Sequence, residues 1–435
     1  MEKYTIFWFR RDLRIEDNHG LFKALSRKEK VIPIFIFDKN ILKKLPKNDA
    51  RLEFIFLALS TIDDAMKRNR CSLGMYHGAP ETILKQLIKK WPVGSVVCNE
   101  DYEPYAKERD ESIKSLLAQN NISFETHKDQ VIFEKDEIVK DDGTPYRVYT
   151  PYSRKWLSHF SSDAISDYPS QNHLNKLAKI DQPKLKLTDL GFEFSVIASP
   201  QYKFNKDIIS SYEETRNFPA LDETTRIGTH LRFGTLSVRE MVRESHKIKN
   251  PTFLKELIWR EFFMQILYHF PHTMTRSFKP QYDRIEWRNN PSEFKKWCQG
   301  KTGYPLVDAG MRQLNQTGFM HNRIRMLVGS FLCKHLLIDW RLGEAYFAEK
   351  LLDYEMSSNV GNWQWVAGCG VDAAPYFRIF NPTEQIKKFD KQHEYIKKWV
   401  PEYQELSYPQ PIVDHKFARE RCLTTYKSAL NVQAS

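Results

Sequence analysis

The chain is poor in the signals that would make a metalloprotein, a membrane protein or a repeat protein of it. Its six cysteines, Cys71, Cys98, Cys298, Cys333, Cys369 and Cys422, are scattered through 435 residues with no C-x-x-C spacing. That argues against a zinc or iron–sulfur site and for a reduced, cytoplasmic setting. No apolar run approaches the length of a membrane span, and MEKYTIFWFRRDLR passes directly into a strand-like run. Neither a transmembrane segment nor a signal peptide is therefore expected. No G-x-G-x-x-G follows that first run, so the dinucleotide fingerprint is missing. Internal repeats and low-complexity tracts are absent as well. What the chain has in excess is positive charge, +11 at neutral pH. Such a balance suits an anionic partner such as nucleic acid, and it also suits a merely soluble basic protein.

A chain of this length is expected to form two domains or more. In the first third, short apolar runs at Tyr4 to Phe9, Val31 to Phe37, Leu73 to Tyr76, Val96 to Cys98 and Ile122 to Phe124 read as strands. Helical periods near 19–27, 50–69, 80–90 and 104–120 separate them, and such alternation predicts a doubly wound, mostly parallel sheet. We assign this α/β domain to residues 1–130. From 131 to 200 the period is lost among charged and proline-containing segments, which predicts an interdomain connection. Residues 201–435 read as helix after helix, an all-α C-terminal domain.

Within that half, Gly303 to Pro382 is the organising stretch. Val307, Met311 and Leu314, then Ile324, Leu327, Val328, Phe331 and Leu332, recur at helical spacing and predict a shared core. Arg, Asn, Asp and aromatic residues are threaded through the same segments. Polar groups held against buried surface need partners, and a large polar ligand with a planar ring would supply them. Upstream, Thr224 and Thr225 are placed as a helix N-cap whose free N–H groups suit a phosphate or simply cap the helix. Glu256, Trp259, Arg260 and Phe263 fall at helical spacing, which on its own describes a half-buried amphipathic helix with an ordinary Glu–Arg pair.

The segments WFRRDLRIEDN, ELIWREF, TGYPLVDAGMRQL, MHNRIRM, LLIDW, NWQW and DAAPYFRIFNP follow one another across nearly the whole chain. In these motifs the chain resembles the DNA photolyase/cryptochrome flavoprotein family, most closely the class I photolyases that act on cyclobutane pyrimidine dimers. The resemblance implies a helical domain that binds FAD, and an N-terminal domain that carries an antenna such as a folate or a deazaflavin. Asn99 and Glu103 are candidates for touching that antenna, or for capping the helix after Pro104. For FAD it implies contacts from Tyr212, Thr224, Thr225, Arg226, Ile227, Gly228, Phe253, Glu256, Arg260, Asn322, Arg325, Asp353, Glu355 and Asn359. Gly228 stands where relatives commonly have Ser, and Glu355 where Asp is usual.

The resemblance also assigns the chemistry. Asn359 would face N5 of the flavin with an amide, where plant cryptochromes place Asp. Trp363, Trp340 and Trp287 match the family's tryptophan chain from flavin to surface, although isolated tryptophans are more often core or surface anchors. Glu256 would hydrogen-bond the dimer's carbonyl and Trp259 would stack on the lesion. Arg216, Asn322, Arg323, Met326, Trp365 and Gln385 match positions that line the lesion pocket or touch DNA. Met326 cannot donate a proton, whereas relatives that repair (6-4) photoproducts carry His in this region. His321 is expected to serve structure. The expected protein is thus a monomeric, light-driven repair lyase for UV-damaged DNA, without a metal and away from membranes. The other readings are a cryptochrome-type photoreceptor, disfavoured by Asn359 and by the chain ending at Ser435 without a signalling tail, and a DNA-binding protein that has lost its chemistry. The segment between WVPEY and YPQPIV, Gln404 to Ser407, is shorter than relatives often have.

Overall fold

The computed structural model describes residues 3–161, 165–248 and 250–431. Strands Tyr4–Phe9 (β1), Lys30–Asp38 (β2), Gly74–Gly78 (β3), Val93–Asn99 (β4) and Ser123–His127 (β5) form one sheet. Its order is β3-β2-β1-β4-β5 and every neighbouring pair is parallel. The intervening helices are His19–Leu25 (α1), Ala50–Lys67 (α2), Pro80–Lys90 (α3) and Pro104–Ala118 (α4). Both α3 and α4 open on proline, whose missing N–H costs nothing in the first turn. Central strand β1 is apolar on both sides. Phe7 and Phe9 pack with Leu21 and Leu59, while Ile6 and Trp8 pack with Leu84 and Ile113. Burial of both faces is what makes a parallel strand read as a continuous apolar run.

The sheet's order reverses between β1 and β4, the usual crevice for a ligand in such sheets. Here WFRRDLRIEDN fills the strand ends with charge pairs of its own. Arg10 bonds both oxygens of Asp110 at 2.7 Å, Arg14 bonds both oxygens of Asp129 at 2.8 and 2.9 Å, and Arg239 reaches the same Asp129 at 2.9 Å. Burial alone would raise the Asp129 carboxyl, but Arg14 and Arg239 overcome it and hold its pKa at about 2. Asn99 belongs to this network. Its Nδ2 donates to Asp12 at 2.6 Å and to Asn18 at 2.8 Å, and its Oδ1 accepts from Gly20 N–H at 2.8 Å. Glu103 accepts from Arg11 at 3.0 Å and pairs with Arg232 at 3.3 Å. Neither acts as a side-chain cap of α4.

The molecule divides into two compact units that are not continuous in sequence: 1–137, 157–202 and 226–247 form one, and 138–156, 203–225 and 248–435 the other. Residues 131–200 therefore contribute to both, and they include the helix Tyr149–His159 (α5). The second unit is helical. Its helices include Lys206–Thr215 (α6), Thr252–His269 (α7), Pro305–Thr317 (α8), Asn322–Ser330 (α9), Trp340–Lys350 (α10), Met356–Ala367 (α11), Pro382–Phe389 (α12) and His415–Asn431 (α13). Val307, Met311 and Leu314 of α8 and Ile324, Leu327 and Val328 of α9 are buried in one core with Phe331 and Leu332. Asp308, buried in the same motif, accepts the N–H groups of Thr302 and Gly303 at 2.7 and 3.1 Å and the hydroxyl of Tyr408. The short segment Gln404 to Ser407 thus delivers Tyr408 back to the start of α8. Among the described residues, no helix is long and apolar enough to cross a membrane.

Candidate functional site

Helices α9, α10 and α11 line a cleft of about 100 Å³. Asn322, Arg325 and Met326 line it from α9, Asp353 and Glu355 from the turn before α11, and Asn359, Trp363 and Trp365 from α11. Two glycines allow the helices to meet so closely. A Cβ on Gly343 of α10 would lie 2.2 Å from the Trp363 ring, and one on Gly361 of α11 would lie 2.3 Å from Phe263 of α7. The start of α9 is fixed by His321, whose Nδ1 accepts the Arg323 N–H at 3.2 Å. Burial, then the nearby Arg325, Arg323 and Arg216, push the His321 pKa down to about 4. The ring is therefore neutral at neutral pH, as an accepting cap must be.

The polar groups of the cleft are held from behind. Arg325 bonds Asp353 Oδ2 at 2.8 Å and the Met320 carbonyl at 2.7 Å. The second oxygen, Asp353 Oδ1, is buried without a hydrogen-bond partner. Asn359 donates from Nδ2 to the Glu344 carbonyl at 3.1 Å and to Glu344 Oε1 at 2.9 Å. A backbone carbonyl only accepts, so the orientation of this amide is settled, and Oδ1 remains as its acceptor. Burial raises the Glu344 carboxyl above its ordinary range, against the hydrogen bond from Asn359. Glu355 precedes α11, and its carbonyl takes the Asn359 N–H at 2.8 Å.

A second group forms where α6 meets α7. Tyr212 meets Phe253 edge-on, with ring centroids 5.3 Å apart. Arg216 lies 5.2 Å over the Tyr212 ring and bonds Glu256 at 2.6 Å. The Glu–Arg pair suggested by helical spacing is thus made to Arg216, the C-cap of α6. Trp259, one turn further along α7, stacks on Tyr149. Arg260 and Phe263 continue the same helix, Phe263 buried and Arg260 half-buried.

Of the tryptophans, Trp363 faces the cleft and meets Phe347 and Trp297, with centroids 5.0 and 6.2 Å away. Trp340 is 1% exposed in the core, its indole N–H without a partner. Trp287 packs against the same core from a half-buried position, 6.0 Å from Tyr426. Arg323 lies 4.3 Å over Phe389, the end of α12, and bonds Asn217. Burial, then the facing guanidinia of Arg216 and Arg378, pull Arg323 below the ordinary guanidinium range. Gln385 is half-buried on α12 and does not line the cleft.

One expectation is corrected. Thr224 and Thr225 do not cap a helix: Arg226 takes a left-handed φ of 54°, which interrupts any helical start there, and the next helix begins at Gly228 with Ile227 as its N-cap. Thr224 and Thr225 belong to the second unit, whereas Arg226, Ile227 and Gly228 belong to the first. Two residues escaped the sequence reading. Glu344 stands four residues after Trp340 in WRLGEAYF, a spacing that puts both on one helix face. Arg378 sits inside DAAPYFRIFNP and extends over Trp365 and Phe380, 5.9 and 5.4 Å from the ring centroids.

A family model described as the FAD binding domain of DNA photolyase matches residues 253–407, and one described as DNA photolyase matches residues 5–171. The deoxyribodipyrimidine photo-lyase of Agrobacterium fabrum is 36% identical, with 97% of each chain covered. That of Escherichia coli is 34% identical, with 98% of each covered. Among solved structures, a class III photolyase from Agrobacterium tumefaciens gives a TM-score of 0.87 at 33% identity, covering 99% of this chain and 98% of that one. An archaeal photolyase from Sulfolobus tokodaii with two FAD molecules gives 0.83 at 34%, covering 98% and 100%. A Synechocystis cryptochrome gives 0.80 at 24% identity, covering 98% and 99%, which speaks for the fold alone. These identities lie close together, so they speak for a family and not for a class within it.

Proposed function

We propose, from the premise that this chain belongs to the DNA photolyase family, that it repairs cyclobutane pyrimidine dimers in DNA with light. The observation that carries this is the cleft itself. It gathers a cation–carboxylate pair, an oriented amide and an oxidisable ring around a buried carboxylate oxygen that lacks a partner. An orphaned buried acceptor of this kind is costly in an apolar interior and suits a ligand with ring N–H donors. FAD fits that description, and Arg325, Asp353, Glu355 and Asn359 would hold it. When bound, fully reduced and excited by blue or near-UV light, FAD supplies one electron to the dimer and takes it back, so two cyclobutane bonds split without net redox change.

The chain's own residues set the conditions for that chemistry. Glu344 clamps Asn359 from behind, so the amide offers an acceptor and no acidic proton. Trp363, Trp340 and Trp287 form a route by which a hole created beside the cleft passes outward during photoactivation. Photolyases as a class extrude the damaged bases from the duplex before reacting. Met326 and Trp365 would pack on the extruded dimer, Trp259 would stack on it, and Glu256 would hydrogen-bond its carbonyl. Arg216, Arg323 and Arg378 would grip phosphates, which makes affinity salt-dependent. Packing around the dimer excludes water and so protects the radicals from side reactions.

Replacement of Glu256 tests the reading. Glu256→Ala is expected to lower the splitting yield per absorbed photon more than it lowers dimer binding, and Glu256→Gln, whose amide N–H can donate to that carbonyl, to lie between. An unchanged yield in both variants would remove Glu256 from the reaction.

A further inference from the structure

Trp259 has one face already taken. The Tyr149 ring lies parallel to it, with centroids 3.7 Å apart and planes 8° from each other. Stacking at this separation leaves no room for a third ring between the two. Tyr149 is not free to swing away, because it is anchored at both ends. Its hydroxyl donates to the Lys255 carbonyl at 2.8 Å, and its backbone N–H donates to Asp372 at 3.1 Å. It is 8% exposed, at the first residue of α5, with Phe262 edge-on 5.9 Å away. Glu256 is close enough to act on it electrostatically, adding to burial in pushing the phenol above its ordinary range. The anchored ring, the indole and the carboxylate therefore form one cluster, and Tyr149 alone among them has no part in the mechanism above.

We propose that Tyr149 is a positioning residue for lesion recognition: stacked on one face of Trp259, it fixes the plane of the indole so that an extruded dimer is taken up on the other face. The proposal rests on the reading of Trp259 as the stacking partner of the dimer. A free indole on a helix surface must lose rotamer freedom when a base stacks on it, and an indole already held by Tyr149 has lost it beforehand. The gain is confined to the damaged site, because phosphate contacts by Arg323 and Arg378 do not pass through this pair.

The test uses the flavin-loaded full-length protein in the dark. It is titrated with a duplex carrying one thymine cyclobutane dimer and with the same duplex undamaged. Tyr149→Leu should lower the ratio of damaged to undamaged affinity about three- to tenfold, the worth of one aromatic pair. Flavin content and undamaged-DNA binding should stay as in the wild type. Tyr149→Phe keeps the ring and should restore the ratio to within about twofold. Should the Leu variant fail to fold, Tyr149→Met carries the same expectation. Trp259→Leu separates the two layers of the argument. Loss of discrimination in Trp259→Leu with full discrimination in Tyr149→Leu overturns the role of Tyr149. Full discrimination in both overturns the reading of Trp259 beneath it. A Tyr149→Leu variant that loses flavin and undamaged-DNA binding in the same proportion would make Tyr149 a fold residue only, and would also overturn the proposal.

Discussion

One arginine cluster from each unit makes an instructive contrast. In the α/β unit, Arg10, Arg11, Arg14 and Arg239 each meet a carboxylate, and the pairs share partners until they form a buried lattice at the strand ends. In the helical unit, Arg323 has no carboxylate among its described partners and faces Arg216 and Arg378, while Arg378 lies over aromatic rings. Charge that cancels internally makes structure. Charge left uncancelled, beside a cleft with an unpartnered carboxylate oxygen, is held ready for something outside the protein. Motif length does not distinguish the two: WFRRDLRIEDN and MHNRIRM both carry arginines among apolar residues, and only the positions of the partners separate lattice from site.

The sharpest way to break the lattice is at Asp129, which is 2% exposed and serves both Arg14 and Arg239. Asp129→Asn leaves two buried guanidinia short of charge and should cost about 3–5 kcal/mol, read from denaturant unfolding. The sign of the pH effect follows from the same pairing. The folded-state pKa of Asp129 is held near 2, below its unfolded value, so its contribution is complete above about pH 4 and is lost as pH falls through 2. An unfolding midpoint unmoved by the substitution would mean that the lattice is ornamental.

The helical unit should respond in function before stability. Trp340→Phe fills the same buried space with a ring that oxidises less readily. Light-driven reduction of oxidised FAD should fall by about an order of magnitude or more, while repair by chemically reduced enzyme survives, since that electron does not travel along the tryptophans. Photoreduction at the wild-type rate would break the assigned route or reveal a bypass. A smaller effect is expected from Arg323→Gln. Relief of like-charge crowding should leave stability unchanged or slightly raised. Binding to damaged and undamaged DNA should weaken alike, with the salt slope of log K reduced by about 1. A loss of stability comparable to that of Asp129→Asn would erase the contrast between the two units.

How much was legible in the sequence follows the same division. The five strands and the helices between them were readable because strands such as TIFWF are buried on both faces and their apolar runs are bounded by helical periods. The cleft was readable as a set of residues, since Asn322, Arg325, Met326, Asp353, Glu355, Asn359, Trp363 and Trp365 all reach it. What stayed hidden was pairing across the chain. The bonds of Asn99 were not readable because its partners Asp12, Asn18 and Gly20 lie some eighty residues away. Thr224 and Thr225 resembled a cap because nothing in TTRIG announces the left-handed Arg226. Glu344 carried no signal in the sequence that Asn359 would bond to it. Arg216 and Glu256 were each read as facing DNA, and in the folded chain they face each other.

The most direct test of the central claim is illumination of the reduced, flavin-loaded protein with two substrates side by side, one carrying a thymine cyclobutane dimer and the other a (6-4) photoproduct. With Met326 in the pocket in place of a proton donor, blue light should restore two thymines from the cyclobutane dimer and leave the (6-4) product intact. Repair of the (6-4) product with the cyclobutane dimer untouched, or no repair of either by protein that holds reduced flavin and binds the DNA, would contradict the account.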